Sequence, residues 1–469
     1  MNGVRVGEQA PAGTDAEADC GGVPPAVGVA ARGPAASEEV PVPDRLFDNQ
    51  AFRLLFIAAA VSKVGTQISF VALPLLAVIV LHASPAELGV LGVMNTIAFL
   101  LIGLPAGPWL DRVRRRGVLV AADGARAVLL GSVPIAWAFG GLTMEQLWVV
   151  ALLCGVATVF FDVGAQSYLP SVVGRDRLLE ANGKLASWDA AAGVAGPSAG
   201  GYLVLLITAP GAIALDAVSY LWSALCLARI RRKEPPPDRR RDRLLFDEIR
   251  EGIAFVFHHP LLRPIAVAGA LTNLSITICI TMIPLMLERE LGLSAGAVGT
   301  FFAFGGLGVF LGSTTARRLA ERLGAGPTTW ILGIAAVPFT FLVAFVDRGA
   351  WFWIVCLGWL VVTYRIGVNN VILVSFRQRV TPDALLNRMN ATMRFLMTGV
   401  MAVGAAIAGA VGQFAGVRGA LLVGVTGLAA SWIPIFFSRM RTVRDLSDAP
   451  ASTAAQQTSN GVEQKGGQP

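Results

Sequence analysis

Twelve apolar runs of about twenty residues or more dominate this 469-residue sequence. A helix needs about 20 such residues to cross a bilayer, and in lipid each segment must satisfy its own backbone hydrogen bonds. The runs therefore predict twelve membrane-spanning helices. The predicted spans are Phe52–Leu81, Ala86–Leu110, Gly117–Gly140, Gln146–Leu169, Asn182–Ile207, Ala212–Ile230, Pro264–Leu287, Gly296–Leu319, Pro327–Val346, Trp351–Phe376, Asn387–Phe414 and Gly419–Phe437.

The composition excludes several other classes of protein. Hydrophobic residues make up 54% and charged residues 15%, against about 45–50% and about 25% in soluble globular chains. A soluble enzyme, a disordered chain and a disulfide scaffold are therefore excluded, and the chain is too apolar for its net charge of +7 to indicate a nucleic-acid partner. The five cysteines have no short spacing that would indicate a metal site or a disulfide framework.

The positively charged residues are distributed very unevenly between the loops. When alternate loops are assigned to two membrane faces, the face with the N-terminal tail collects 33 of the 38 Lys and Arg residues, with Arg126 and Arg394 counted in the first turns of their spans. Cytoplasmic loops carry an excess of Lys and Arg. We therefore expect a multi-pass protein of the cell membrane with both termini in the cytoplasm. The five exceptions are Arg289, Arg348 and Arg418 on the opposite face and Lys63 and Arg365 within spans.

The spans fall into two groups of six. We expect six-helix bundles over residues 49–230 and 264–440, joined by a cytoplasmic linker over residues 231–263. Residues 1–48 and 441–469 are rich in small and polar residues, and we expect both to be disordered cytoplasmic tails.

The linker combines a basic run with a helical pattern. Leu245, Ile249, Gly252 and Val256 recur at helical spacing, with charged residues between them. This pattern predicts an amphipathic helix on the cytoplasmic leaflet, and the basic run is expected to contact anionic lipid. A regulatory docking site is the alternative interpretation, and a simple connection between the bundles explains the loop better.

The two groups of spans resemble each other in sequence. The loop at Gly107–Arg112 corresponds to Gly312–Arg317 at an offset of 205, and Gly196 and Gly201 correspond to Gly404 and Gly409 at an offset of 208. Nearly constant offsets indicate a duplication. Parallel repeats of this kind form transporters in which two halves rock around a site at the middle of the membrane.

Several motifs resemble those of the major facilitator superfamily. The run Gly107–Arg116 is similar to the signature loop between helices two and three, and Gly-Pro-x-x-Gly-Gly at Gly196–Gly201 is similar to the helix-five motif of its antiporters. The segments Phe161–Pro170 and Leu215–Ser219 resemble the branch that contains macrolide-efflux proteins and enterobactin exporters. The resemblance covers residues 48–440. It implies an all-α integral membrane protein with twelve helices in two pseudo-symmetric six-helix bundles, acting as a monomer.

The resemblance assigns a conformational clamp to the signature loop, through Gly107, Asp111, Arg112 and Arg115. It implies that Asp111 meets the start of helix eleven, near Asn387–Asn390, when the transporter is open to the outside. A carboxylate at a helix N-terminus is favoured by the helix dipole and the free N–H groups. The alternative is that the arginines of the loop only set the topology. The sequence departs from the family pattern at two positions: Arg114 replaces the second glycine of the loop, and Ala316 stands where the second-half copy would have its acidic residue. The expected clamp would therefore form from the first-half loop alone.

The helix-five motif consists of Gly196, Pro197, Gly200 and Gly201. In antiporters it implies a kinked helix that packs closely against a neighbour and limits leak. The alternative is the ordinary close packing of a glycine-rich membrane helix.

Charged residues within spans are costly and serve as functional hypotheses. Asp162 in span four is the first candidate for proton coupling, since a buried carboxylate can take up and release a proton. The alternative is an ion pair with Lys184 or Arg177 at the helix end. Asp189 is the second candidate.

Further charges lie within other spans. Arg365 in span ten is expected to be the partner of Asp162 or a group that binds an anionic substrate. Asp123 is expected to pair with Arg126 or with the signature loop, and Asp216 is expected to be structural. Span four lacks the basic residue that is usual in the family, which departs from the family's proton relay.

Polar, aromatic and thioether side chains within the spans are candidates for substrate contact. Methionine and aromatic side chains form adaptable apolar surfaces that suit bulky ligands. The candidates are Gln67, Asn95, Asn273, Tyr364 and Met393.

The resemblance and the topology together favour an exporter of an amphipathic small molecule, such as an antibiotic or a related natural product. Proton antiport would supply the energy, and no cofactor is expected. Siderophore export and proton-coupled uptake are the alternatives. No nucleotide-binding P-loop and no clustered catalytic constellation occur in the sequence, so an ATP-driven pump and an enzyme are disfavoured.

Overall fold

The computed structural model describes residues 46–103, 106–110, 113–174, 177–230 and 253–444. Nearly all of the expected tails and most of the expected linker, including the amphipathic pattern that begins at Leu245, lie outside these ranges. The described part of the chain is helical and contains no strand.

Twelve helices are present in the described ranges, and ten of them are long and apolar enough to cross a membrane. The two short helices are α3 and α12, and α7 continues as a π-helical segment over Leu285–Glu290. In chain order the helices are α1 (Gln50–Ile79), α2 (Pro85–Ile102), α3 (Ala106–Leu110), α4 (Arg115–Ala138), α5 (Met144–Val173), α6 (Leu178–Ala228), α7 (Leu262–Pro284), α8 (Ala295–Leu323), α9 (Ala325–Leu342), α10 (Ala350–Val380), α11 (Asp383–Ala430) and α12 (Ile433–Phe436).

Two of the ten helices supply two membrane crossings each. The 51 residues of α6 would measure about 77 Å as a straight helix, more than twice the roughly 30 Å hydrocarbon core. Thr208 in α6 and Gly416 in α11 leave the helical region, with φ of +66° and +75°. Gly196 and Asp216, on either side of Thr208, both lie against the middle of α1, so the chain reverses at Thr208. The twelve predicted crossings are therefore confirmed.

The second predicted span ends at a different residue in the structure. The apolar run Ala86–Leu110 was expected to form a single helix, but α2 ends at Ile102 and α3 starts at Ala106. The start of α2 is well defined, because Ser84 and Glu87 form a capping box in which each side chain accepts a hydrogen bond from the other's backbone N–H. Pro85 occupies the first helical position, where a missing N–H costs nothing.

The pairing of helices repeats between the halves. Helix α1 packs on α6 in the first half, and α7 packs on α11 in the second. Gly196 lies against Gln67 of α1, and Gly404 lies against Leu274 of α7. The glycine correspondence found in the sequence therefore has a structural counterpart, since both glycines make room for the first helix of their own half.

The halves meet through two crossings of glycine on glycine. A side-chain carbon at Gly201 of α6 would lie 2.5 Å from the backbone nitrogen of Gly299 of α8. A side-chain carbon at Gly89 of α2 would lie 2.5 Å from Cα of Gly409 of α11. Because neither position has room for a side chain, the backbones approach as closely as they do in small-residue membrane interfaces.

The apolar core joins the halves at one end only. The largest cluster combines Leu76 and Ile213 of the first half with Met286 and Leu421 of the second. At the other end, which we call the termini side because residues 46 and 444 lie there, each cluster of the described region belongs to one half. The structure is therefore closed by apolar packing on the side opposite the termini.

The Gly201–Gly299 crossing gives a test of this closure. Gly201→Ala should push α6 away from α8 and lower the free energy of unfolding by about 1–3 kcal/mol, as overpacking does. Thermal unfolding of the purified protein measures this change. Gly193→Ala on the same helix is the matched control, because its Cβ would lie an ordinary 3.7 Å from Gln67. Equal stability of the two variants would contradict the close contact.

Candidate functional site

An ion pair connects the two halves on the termini side of the glycine crossings. A guanidinium nitrogen of Arg394 on α11 lies 3.7 Å from a carboxylate oxygen of Asp162 on α5, and each side chain is 47% exposed. The Arg394 guanidinium also lies 4.9 Å from the ring centre of Phe99 on α2. A cation of the second half therefore contacts both a carboxylate and an aromatic face of the first half.

Arg394 is a site residue that the sequence interpretation missed. Asp162 was expected to pair with Lys184, Arg177 or Arg365, and the structure shows that these assignments are wrong. Arg177 has an ion pair with Glu180, 3.6 Å away. The sequence did offer a signal, because Arg394 lies inside an apolar run. The count of loop charges assigns it only to the topology.

Polar and adaptable side chains lie one helical turn along from Phe99 and Arg394. Asn95 is exposed and lies one helical turn from Phe99 on the same face of α2. Met397 lies one turn after Arg394, and the amide of Asn273 on α7 donates to its sulfur at 3.4 Å. We call Asp162, Arg394, Phe99, Asn95 and Asn273 the inter-half site.

A second ion pair lies within the first half. The ammonium of Lys63 on α1 lies 3.8 Å from the Asp189 carboxylate on α6, with side chains 40% and 58% exposed. Both residues stood out as charges within apolar spans. Each neutralises the other, which reduces the cost of holding them there.

A buried polar network lies deeper in the first half. Arg126 and Asp123 on α4 form an ion pair, and Ser223 donates to Asp123 at 2.5 Å. The Arg126 guanidinium lies between two aromatic rings, 4.5 Å from the centre of Phe161 and 4.3 Å from that of Tyr220. The pairing of Asp123 with Arg126 is thus the one predicted from their spacing.

Arg365 does not reach the inter-half site. It is 2% exposed and donates to the Ser431 hydroxyl at 2.8 Å and to the Leu428 carbonyl at 3.4 Å. Leu428 and Ser431 stand at the C-terminal end of α11, where carbonyls without helical partners favour a cation. In this conformation Arg365 stabilises a helix end and does not pair with Asp162, and its expected roles in proton coupling and substrate binding stay predictions.

The signature loop is only partly described. Asp111 and Arg112 lie outside the described residues, so the clamp on the start of α11 stays a prediction. Gly107 lies in α3. Arg115 donates to the backbone carbonyl of Ser167 on α5 at 2.8 Å, so it contacts the end of a neighbouring helix in its own half.

The helix-five motif packs on two neighbours. Gly200 lies against Ile68 of α1, and Gly201 lies against Gly299 of the other half. Pro197 is buried, but the backbone of α6 leaves the helical region at Thr208 and not at the proline. The motif therefore brings α6 close to both neighbours, and the kink that the resemblance implies at Gly196–Pro197 stays a prediction.

The remaining substrate candidates have their described contacts within their own halves. The Tyr364 hydroxyl is hydrogen-bonded to Thr315 at 2.9 Å, within the second half. Gln67 packs against Gly196 within the first half. Met393 is fully buried in a cluster with Val256 and Leu262, so its expected place as a cavity residue is wrong.

A model of the Major Facilitator Superfamily matches residues 55–397 of the chain. The chain belongs to this superfamily. Major facilitator proteins are transporters, and this one is accordingly a multi-pass membrane transporter and not an enzyme.

Curated relatives add a narrower likeness. The chain is 28% identical over 375 residues to the "Enterobactin exporter EntS" of Escherichia coli O127:H6, covering 77% of this chain and 85% of that protein. The exporter of the same name from Shigella boydii serotype 18 is also 28% identical, with the same coverage.

Solved structures of other major facilitator transporters have the same fold. The nucleoside transporter NupG matches with a TM-score of 0.67 and 13% identity, over 83% of this chain and all of that chain. A bacterial homologue of the iron transporter ferroportin in an inward-facing state matches with a TM-score of 0.67 and 16% identity, over 85% of this chain and all of that chain.

The position of Arg365 predicts a structural phenotype. Arg365→Gln should lower the free energy of unfolding by about 1.5–3 kcal/mol, because hydrogen bonds from a charged donor to the end of α11 are lost. Thermal unfolding in detergent measures the loss, and Arg322→Gln at the exposed end of α8 is the control. A variant with unchanged stability and abolished transport would instead place Arg365 in the transport mechanism.

Proposed function

We propose that this transporter exports an amphipathic small molecule across the cytoplasmic membrane by proton antiport. The observation that carries the proposal is the Asp162–Arg394 ion pair between the halves. In antiport, the proton and the substrate must exclude each other from the same state of the protein. A carboxylate that can bind Arg394, a proton or a cationic group of a substrate supports such exclusion.

The strength of the pair suits a contact that breaks in every cycle. Half-exposed ion pairs contribute roughly 0.2–1 kcal/mol, so protonation of Asp162 or a competing ligand can release Arg394. A fully buried pair would cost about 3–5 kcal/mol to break by loss of one partner. The 47% exposure of both side chains therefore favours a role in switching over a role in permanent stabilisation.

The open side of the structure supports the direction of transport. Among the described residues, the halves share an apolar core only on the side opposite the termini, and the loop charges favour cytoplasmic termini. With that orientation, the conformation described is accessible from the cytoplasm. An exporter binds its substrate from this side. We propose that the protein works as a monomer and uses the proton gradient, without a bound cofactor.

The side chains around Arg394 support an amphipathic substrate. Phe99 supplies an aromatic face, Met397 a flexible thioether, and Asn273 and Asn95 amide groups, beside the two charges. Antibiotics and related natural products combine such apolar and polar groups. A siderophore is the second candidate, favoured by the likeness to proteins named enterobactin exporters.

Transport in everted membrane vesicles tests the proposal. With an imposed proton gradient, an exported compound should dissipate the gradient in vesicles that contain the protein. Asp162→Asn cannot take up a proton at this position, so proton-coupled transport should fall at least tenfold while membrane insertion persists. The measurements are the decay of a pH-sensitive dye signal and the uptake of labelled compound.

Glu321→Gln is the matched control, because it removes the carboxylate of an exposed ion pair with Arg317 within α8. It should transport like the wild type. Full coupling in Asp162→Asn would remove Asp162 from the mechanism. Transport that does not dissipate the gradient would rule out proton antiport, and a panel of antibiotics and siderophores in the same assay distinguishes the two substrate classes.

A further inference from the structure

Asp216 is a fully buried carboxylate in the second arm of α6 (residues 209–228), with 0% exposure. Its contacts are hydroxyl groups. Ser69 of α1 donates to one carboxylate oxygen, and Ser219 donates to the other at 3.0 Å. Gly65 of α1 lies directly against it, with no room for a side chain. Within the described residues, no basic side chain lies at ion-pair distance from Asp216.

Few other ionisable groups surround Asp216. From α4 there are Asp123 and Arg126, from α5 there is Cys154, and Tyr220 lies one turn away on α6. α1 contacts it through Gly65 and Ser69. A free thiol and a phenol are neutral near pH 7. Arg126 also interacts electrostatically with Asp162, but Asp162 has its own cation in Arg394 of the other half. The charge balance around Asp216 therefore depends on one guanidinium, Arg126, and two carboxylates, Asp123 and Asp216.

Those three groups do not balance if both carboxylates are ionised. Arg126 is 3% exposed and Asp123 0% exposed, so the region would hold one uncompensated negative charge. Burying an unpaired charge costs several kcal/mol, and a buried carboxylate normally avoids this by binding a proton. One proton makes the region neutral.

The contacts decide which carboxylate holds that proton. Asp123 is in direct contact with the Arg126 guanidinium, which favours the ionised form. Hydroxyl groups both donate and accept hydrogen bonds, so Ser69 and Ser219 serve a protonated carboxyl as well as a carboxylate. We propose that Asp216 is a second proton-binding site of the transporter and holds a proton in the conformation described.

The position of the network links this proton to the inter-half site. Arg126 lies between the rings of Phe161 and Tyr220, and Phe161 directly precedes Asp162 in α5. The Nε–H of Arg126 has no hydrogen-bond partner among the described residues. The guanidinium thus has an unused donor within the network. A change at Asp162 that moves α5 would shift Arg126 relative to Asp123 and Asp216.

Infrared difference spectroscopy tests the protonation directly. A protonated carboxyl has its own carbonyl-stretch band, which shifts in D2O. The wild type at neutral pH should show this band, and Asp216→Asn should lack it. Asp162→Asn should keep it. Arg126→Gln should roughly double it, because both buried carboxylates then lack a cation and bind protons.

A second variant with a smaller structural effect keeps the test valid if Asp216→Asn does not fold. Ser69→Ala removes one hydroxyl partner and should shift the band without abolishing it. Ser187→Ala is the control, since that hydroxyl bonds only to the Gly183 carbonyl of its own helix. The proposal is overturned if the wild type shows no band, if Asp216→Asn retains it, or if Ser69→Ala leaves it unmoved.

The role of Asp216 in transport rests on the proposed function, whereas its protonation does not. In proteoliposomes, Asp216→Asn should change the pH profile of transport while substrate binding stays within twofold of the wild type. An unchanged profile would overturn the transport role. Because the infrared experiment requires no substrate, it separates failure of this proposal from failure of proton antiport.

Discussion

The close approach of backbones at two glycine crossings is the constraint on which the rest of the structure depends. Helices in lipid gain little from burying apolar surface against one another, so close packing and polar contacts must hold them together. Gly201 against Gly299 and Gly89 against Gly409 bring the halves together at equivalent places in the repeat. These crossings permit the continuous core opposite the termini and leave the termini side to a polar contact.

The charges within the membrane differ in exposure and in the kind of partner that each one contacts. We interpret these differences as reflecting how often each charge changes partner during transport. Arg365, which caps the end of α11, is fully buried and held by two acceptors. The Asp162–Arg394 pair is half exposed and joins the two halves. The Asp123–Arg126–Asp216 network is buried, and its charge balance requires a proton. The half-exposed ion pairs Asp162–Arg394 and Lys63–Asp189 and the buried network can respond to pH or ligand at lower cost than Arg365.

The sequence predicted the spans well because length and apolarity determine whether a helix can cross a membrane. It also predicted the glycine repeat, since Gly196 and Gly404 serve the same packing in each half. It could not predict the partner of Asp162, because Arg394 is remote in the chain and its distance from Asp162 depends on how the halves meet. The burial of Asp216 and the capping role of Arg365 likewise depend on which face of a helix each residue occupies, which an apolar run leaves undetermined.

The central claim is that Asp162 links protonation to a reciprocal movement of the two halves. Pulsed electron paramagnetic resonance tests this claim most directly. Spin labels would replace the exposed residues Leu179 and Leu323 on the termini side, and Phe139 and Phe414 on the opposite side. When the pH is lowered through the range in which carboxylates protonate, one distance should shorten and the other lengthen, and Asp162→Asn should abolish the response. Distances that stay fixed or change in the same direction, or a variant that responds like the wild type, would contradict the account.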